Sequence, residues 1–357
     1  MKRALVFALL FSIASVAHAD TPPSIWDRTK DSNAAAAYEL HKDVHSLFAQ
    51  AREEGRVRRF LPQAVDAGHA TLRRAIEKLE RFGAEKGRDV RLRFDLGIAY
   101  AEIAELEVDR RASYQKAIRI LRAALDESPD NPEADDAWWS LAISCGHVGE
   151  TECEKKSYLA VLRLRTEEEH RATPMLNLAE TEMHLGNLRE AIDGYRETIR
   201  LAGRLQGDQL TAPLAIWGLA IALDRSGDHL GAEREATRAV ELEKSSGFRH
   251  QGAPKLLQTN GVFFYPHYEI DWYEGLENVS LARAAKTAQE AVVLLKQAEA
   301  SFSRYVTNAE RDKDRWLDLA RARLAAAKAD REKAEKRAAR EPRPVAPPPH
   351  REETLTL

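Results

Sequence analysis

Two histidines, His41 and His45, stand four residues apart, so a helix sets them on one face a turn apart, within reach of one metal ion. Two ligands make no site without a third, and no metal is expected. Cys145 and Cys153 lie at equal distances on either side of Gly149, so two antiparallel helices meeting there would bring them opposite each other. A bridge fits an exported chain, and two reduced, buried thiols are the alternative. No C-x-x-C accompanies them, which argues against redox catalysis. His250, His267, Glu269 and Asp271 fall in one stretch, but their spacing matches no ligand pattern. There is no H-E-x-x-H, nucleophile elbow or phosphate-binding glycine loop, so no cofactor or catalytic residue is expected.

The elements that would position these groups are helices. Residues 176–201, LNLAETEMHLGNLREAIDGYRETIRL, read as two amphipathic helices folded on one turn. Ala191, Tyr195 and Ile199 recur at four-residue steps, and Gly186-Asn187 supplies the positive-φ positions a sharp turn needs. A two-helix unit cannot bury its apolar face alone, so copies must stack. Loose copies follow: Gly149, Gly186 and Gly227 recur about every forty residues, the period of a helix-pair array.

Composition agrees, with 31% charged and 44% hydrophobic residues and only 7% aromatic. A formal charge of −3 with mixed signs excludes a nucleic-acid binder or a polybasic membrane binder. Residues 1–19 combine Lys2 and Arg3, an apolar run and Ala17-His18-Ala19, the pattern of a cleaved secretory signal peptide. The mature chain is therefore expected to be exported, periplasmic first and extracellular second, with no transmembrane segment after cleavage.

Five further segments follow. Residues 20–55 hold an irregular stretch and a helix, with helix expected at 34–52. Residues 56–243 carry the helix pairs, the first of them interrupted near Pro62 and Gly68. Residues 244–271 break the helical period with Gly247, Gly252, Pro254, Asn260-Gly261 and Pro266. Helix resumes over 272–305, and a charged helix over 312–340 carries a thin stripe of Leu317, Ala320, Leu324 and Ala327, suiting an end cap in 272–340. Residues 341–357, rich in proline, lack the apolar content to fold.

Leu96-Gly97, Tyr100, Ala117, Leu121, Ala124 and Pro129 carry a pattern that resembles the tetratricopeptide repeat family, most closely over 90–243. Cys145 and Glu182 depart from it, standing where an aromatic is usual. The resemblance implies an all-α, right-handed α-solenoid of stacked antiparallel helix pairs, five to six here, that binds a protein or peptide partner in an envelope complex. It also implies that the fifth and ninth places of each unit line a groove: Phe94, Trp139, Leu176 and Trp217, then Ile98, Ile143, Glu180 and Ile221. Such a row would form an apolar trough for a peptide or amphipathic helix, unless these residues pack between units as core or the C-terminal helix fills it. Phe263, Phe264, Tyr265, His267 and Tyr268 form either a recognition loop or a plug on the helices. An enzyme sited at 245–273 and a carrier of an apolar small ligand are the competing readings.

Overall fold

The computed structural model describes residues 32–57, 64–204, 210–245, 255–258 and 262–341. The leader at 1–19, the stretch at 20–31, His250 and the tail from 342 lie outside the described residues. Among the described residues there are thirteen α-helices and no strand. None is long and apolar enough to cross a membrane.

The first compact unit ends at Val148 and holds α1 (Ser32–Val57), α2 (Ala64–Phe82), α3 (Val90–Ala104), α4 (Arg111–Glu127) and α5 (Ala134–Val148). Each packs on the next, and α3 also touches α1 and α5. Those next-but-one contacts are what stacked hairpins make. On α4 the buried residues Tyr114, Ala117, Ile118, Leu121 and Ala124 trace one helical face, at the spacing read from sequence.

The second unit, Gly149–Leu357, holds α6 (Thr151–Leu164), α7 (Ala172–Leu185), α8 (Leu188–Ala202), α9 (Thr211–Arg225), α10 (His229–Ser245), α11 (Ile270–Ala284), α12 (Ala288–Asp312) and α13 (Leu317–Ala338). Here too each helix packs on its successor, and α9 also meets α7 and α11. The hairpin turn at Gly186 has φ 84°. Its amide bonds to the Met183 carbonyl at 3.0 Å and the next amide to the Glu182 carbonyl at 2.9 Å, the paired bonds that close a helix on a left-handed residue. Gly227 repeats the arrangement at φ 93°.

Two boundary expectations need correction. Gly68 does not interrupt the second helix: it lies inside α2, where a Cβ would come to 3.6 Å from the Leu106 side chain, an ordinary contact, so nothing in its surroundings breaks the helix. Nor is 272–305 one helix. It divides at 285–287, where the Thr287 hydroxyl accepts the Glu290 amide at 3.1 Å and the Glu290 carboxylate accepts the Lys286 amide at 3.0 Å. That Thr-x-x-Glu start signal was present in the sequence.

Candidate functional site

Four of the eight expected groove residues fall in each unit. In the first, Phe94 and Ile98 on α3 are buried, while Trp139 and Ile143 on α5 keep partial solvent contact. In the second, Leu176 on α7 and Trp217 and Ile221 on α9 are buried, and only Glu180 keeps partial contact. Five of the eight are thus buried and three keep partial contact. The first helices of successive pairs pack on one another, α7 on α9 and α9 on α11, and enclose what would have lined a trough. Every residue of 215–225 on α9 is buried as a result.

α9 ends in two charges, Asp224 and Arg225, which the packing does not release to water. The Arg225 and Glu269 side chains are 0% and 1% exposed, and Arg225 Nη2 donates to both Glu269 oxygens at 2.9 and 2.7 Å. The guanidinium also lies 4.5 Å from the Trp272 ring centre and 4.9 Å from that of Trp316, so two indoles sandwich the cation. Tyr305 donates to Glu269 at 3.3 Å, and Tyr268 donates to Asp314 at 2.9 Å. Asp224 accepts the Trp272 indole N–H at 2.9 Å and lies 3.1 Å from Arg323 Nε. One polar network therefore joins α9, α11, α12, α13 and the turn before α11.

This network also places the aromatic stretch. Tyr268, Glu269, Trp272 and Tyr273 are buried, and Phe264 meets Tyr273 edge-on at 5.3 Å, so the stretch from Phe264 is docked. Phe263 keeps partial contact, whereas Tyr265 and His267 are exposed, the Tyr265 ring with its hydroxyl end against Gly149. Among the expected loop residues only these last two remain exposed.

A second set of polar groups lies where α6 faces α7. Tyr158 accepts the Asn177 amide N–H at 2.9 Å, and Thr181 donates to the Asn177 carbonyl at 2.7 Å. Glu154 and Tyr158 on α6, and Asn177, Glu180 and His184 on α7, recur at three- and four-residue steps, so each set shares a face. Glu180 and His184 keep partial solvent contact, yet burial is the leading influence on both. Burial, reinforced by the charge of Glu269, pushes the Glu180 carboxyl up to about 7, with Arg225 opposing. Burial, reinforced by Glu180, pushes Glu154 up to about 8. Burial lowers the affinity of His184 for its proton. Glu180 stood out in the sequence as the one acid in an apolar row, but Glu154 had no such marker.

Both cysteines, Cys145 and Cys153, are disulfide-bonded. Closing so short a loop contributes about 2–3 kcal/mol through the unfolded chain. Melting the protein with and without reductant should show a loss of that size, and an unchanged midpoint would mean the bond carries no stability.

No protein-family model matches the chain, and none of the curated proteins matches it. Among solved structures it is similar to a MamA RS-1 ArsTM double mutant at 16% identity, over 58% of this chain and 96% of that one, with a TM-score of 0.41. It is similar to BtubC from P. vanneervenii at 18% identity, over 59% and 94% of the two chains, with a TM-score of 0.40. A third likeness, to the apo form of RapI, has 13% identity over 82% of this chain and 99% of that one, with a TM-score of 0.47.

Proposed function

We propose that the chain is a non-catalytic adaptor, an array of helix pairs that holds a protein or peptide partner, and that the partner presents a basic side chain to Glu154 and Glu180 where α6 faces α7. The observation that carries this reading is the pair Glu154 and Glu180: two half-buried carboxyls on adjacent helices, close enough for the charge of Glu180 to act on Glu154, each holding its proton well above the ordinary carboxylate range. Burial raises both, nearby negative charge adds to it, and Arg225 opposes the shift at Glu180. An incoming lysine or arginine relieves that repulsion, while the buried Tyr158 holds the Asn177 side chain on the same face of α7. The exported setting read from residues 1–19, and an envelope complex as destination, belong to the same proposal.

Binding a cation displaces protons from these carboxyls, so affinity for a basic peptide should rise with pH through the range of about 7 to 8. Calorimetry with lysine-containing peptides against their lysine-to-glutamine counterparts tests this directly. The basic peptides should bind at least about tenfold tighter, and a Glu154→Gln, Glu180→Gln variant should lose that preference. Equal affinity for the two peptide sets would defeat the reading. Folding carries the opposite sign: the folded chain keeps protons that the unfolded chain has released. Stability should therefore fall as pH rises from the ordinary carboxyl range to about 8, and fall less in Glu154→Gln.

A further inference from the structure

In the first unit, the pair His41 and His45 on α1 meets a third group that sequence spacing did not bring to it. Asp95, on α3 and 2% exposed, turns one carboxylate oxygen to each imidazole: Oδ2 lies 2.7 Å from His41 Nδ1 and Oδ1 lies 3.1 Å from His45 Nε2. One ligand atom from each of the three residues falls within 4.8 Å of the other two. The second nitrogen of His41, Nε2, lies 3.3 Å from the Glu133 carboxylate. Arg91, whose charge acts on His41, is taken up by Asp89 at 2.7 Å.

We propose that His41, His45 and Asp95 bind one divalent late first-row transition ion of the zinc class, with Glu133 orienting the His41 ring. Two imidazoles and one carboxylate are a borderline donor set, which suits zinc, cobalt or nickel and not calcium or magnesium, whose shells are oxygen throughout. The arrangement has the parts such a site needs. Asp95 is fixed by burial, and its charge together with that of Glu133 balances a divalent cation. A carboxylate beside the far nitrogen of a ligating histidine holds its tautomer and orientation. His45 is 54% exposed, which leaves an approach from solvent and room for a water at the fourth position. Ligand atoms of a tetrahedral ion with bonds of about 2 Å stand roughly 3.3 Å apart, so the contacts of 2.7 and 3.1 Å need to open by about 0.6 and 0.2 Å. Rotation of two side chains on a helix supplies that. Binding also has to release the proton shared between imidazole and carboxylate, so affinity weakens in acid.

The test uses the full chain, stripped with chelator, and the metal alone. Titration with Co2+ should give one equivalent bound and a visible ligand-field absorption that Zn2+ removes. Because His45 is largely exposed, His45→Ala should keep the helical circular dichroism of the parent while binding at least about tenfold more weakly. Glu133→Gln should bind more weakly by about tenfold and keep the absorption band, as befits a residue that acts through His41. Zn2+ should raise the melting temperature of the parent and not that of His45→Ala. The proposal is overturned if the parent binds no Co2+, or if His45→Ala binds it as the parent does. In either case the three side chains are a hydrogen-bonded contact between α1 and α3 and nothing more.

Discussion

Replacing Glu269 with leucine should cost the chain about 3–5 kcal/mol, because it leaves the Arg225 cation in the interior with no countercharge. Arg225 has nowhere else to turn: its side chain is 0% exposed, and its Nε and Nη1 already lack partners. The indoles of Trp272 and Trp316 hold the guanidinium by their faces but cannot neutralise it. A pair this deeply placed need not add net stability, since both ions were dehydrated to make it. The double variant Arg225→Met, Glu269→Leu should accordingly recover most of what Glu269→Leu loses. Urea unfolding of the parent, both single variants and the double variant gives the coupling between the two sites. Additive losses would mean that the ion pair does not hold the aromatic stretch on α9. A large coupling, with the tryptophan near-ultraviolet dichroism restored in the double variant, would mean that it does.

What the sequence made legible and what it hid divide along range. Local features were readable: the left-handed glycines at 186 and 227, and the four-residue periodicity of α4 and α8, follow from contacts within one hairpin. The Thr287–Glu290 start signal was equally local, and reading 272–305 as one helix overlooked it. Contacts between hairpins were not readable. Arg225 finds Glu269 across 44 residues, and His41 finds Asp95 across 54; no spacing rule links such positions. Whether the groove residues face outward was unreadable for a related reason. A large apolar residue on the first helix of a pair looks the same in sequence whether it faces a trough or the first helix of the next pair. One signal did separate the cases. The segment TAPLAIWGLAIALDR is apolar on every side, and a helix without a polar face is enclosed on every side.

That enclosure sets the second large effect, and it falls on a residue first read as a partner anchor. Trp217 is 0% exposed in the core built from α7, α9 and their neighbours, so Trp217→Ala should cost about 3–5 kcal/mol as the removed indole leaves a cavity that only partly collapses. The surroundings allow little collapse. One residue along, a Cβ on Gly218 would come to 2.3 Å from the Tyr195 ring, so α8 and α9 are already at their closest approach there. Trp139 offers the contrast, because in the first unit it keeps partial solvent contact. Its truncation to alanine should lower stability by clearly less than that of Trp217. If a partner does seat on that indole, the change should instead weaken binding by about 2 kcal/mol or more, the mark of an aromatic anchor. Urea midpoints for the two variants decide the matter in order. A Trp217→Ala midpoint equal to that of the parent would return Trp217 to the surface and reopen the apolar trough. A large shift confined to Trp217→Ala leaves Trp139 as the indole through which recognition is measured.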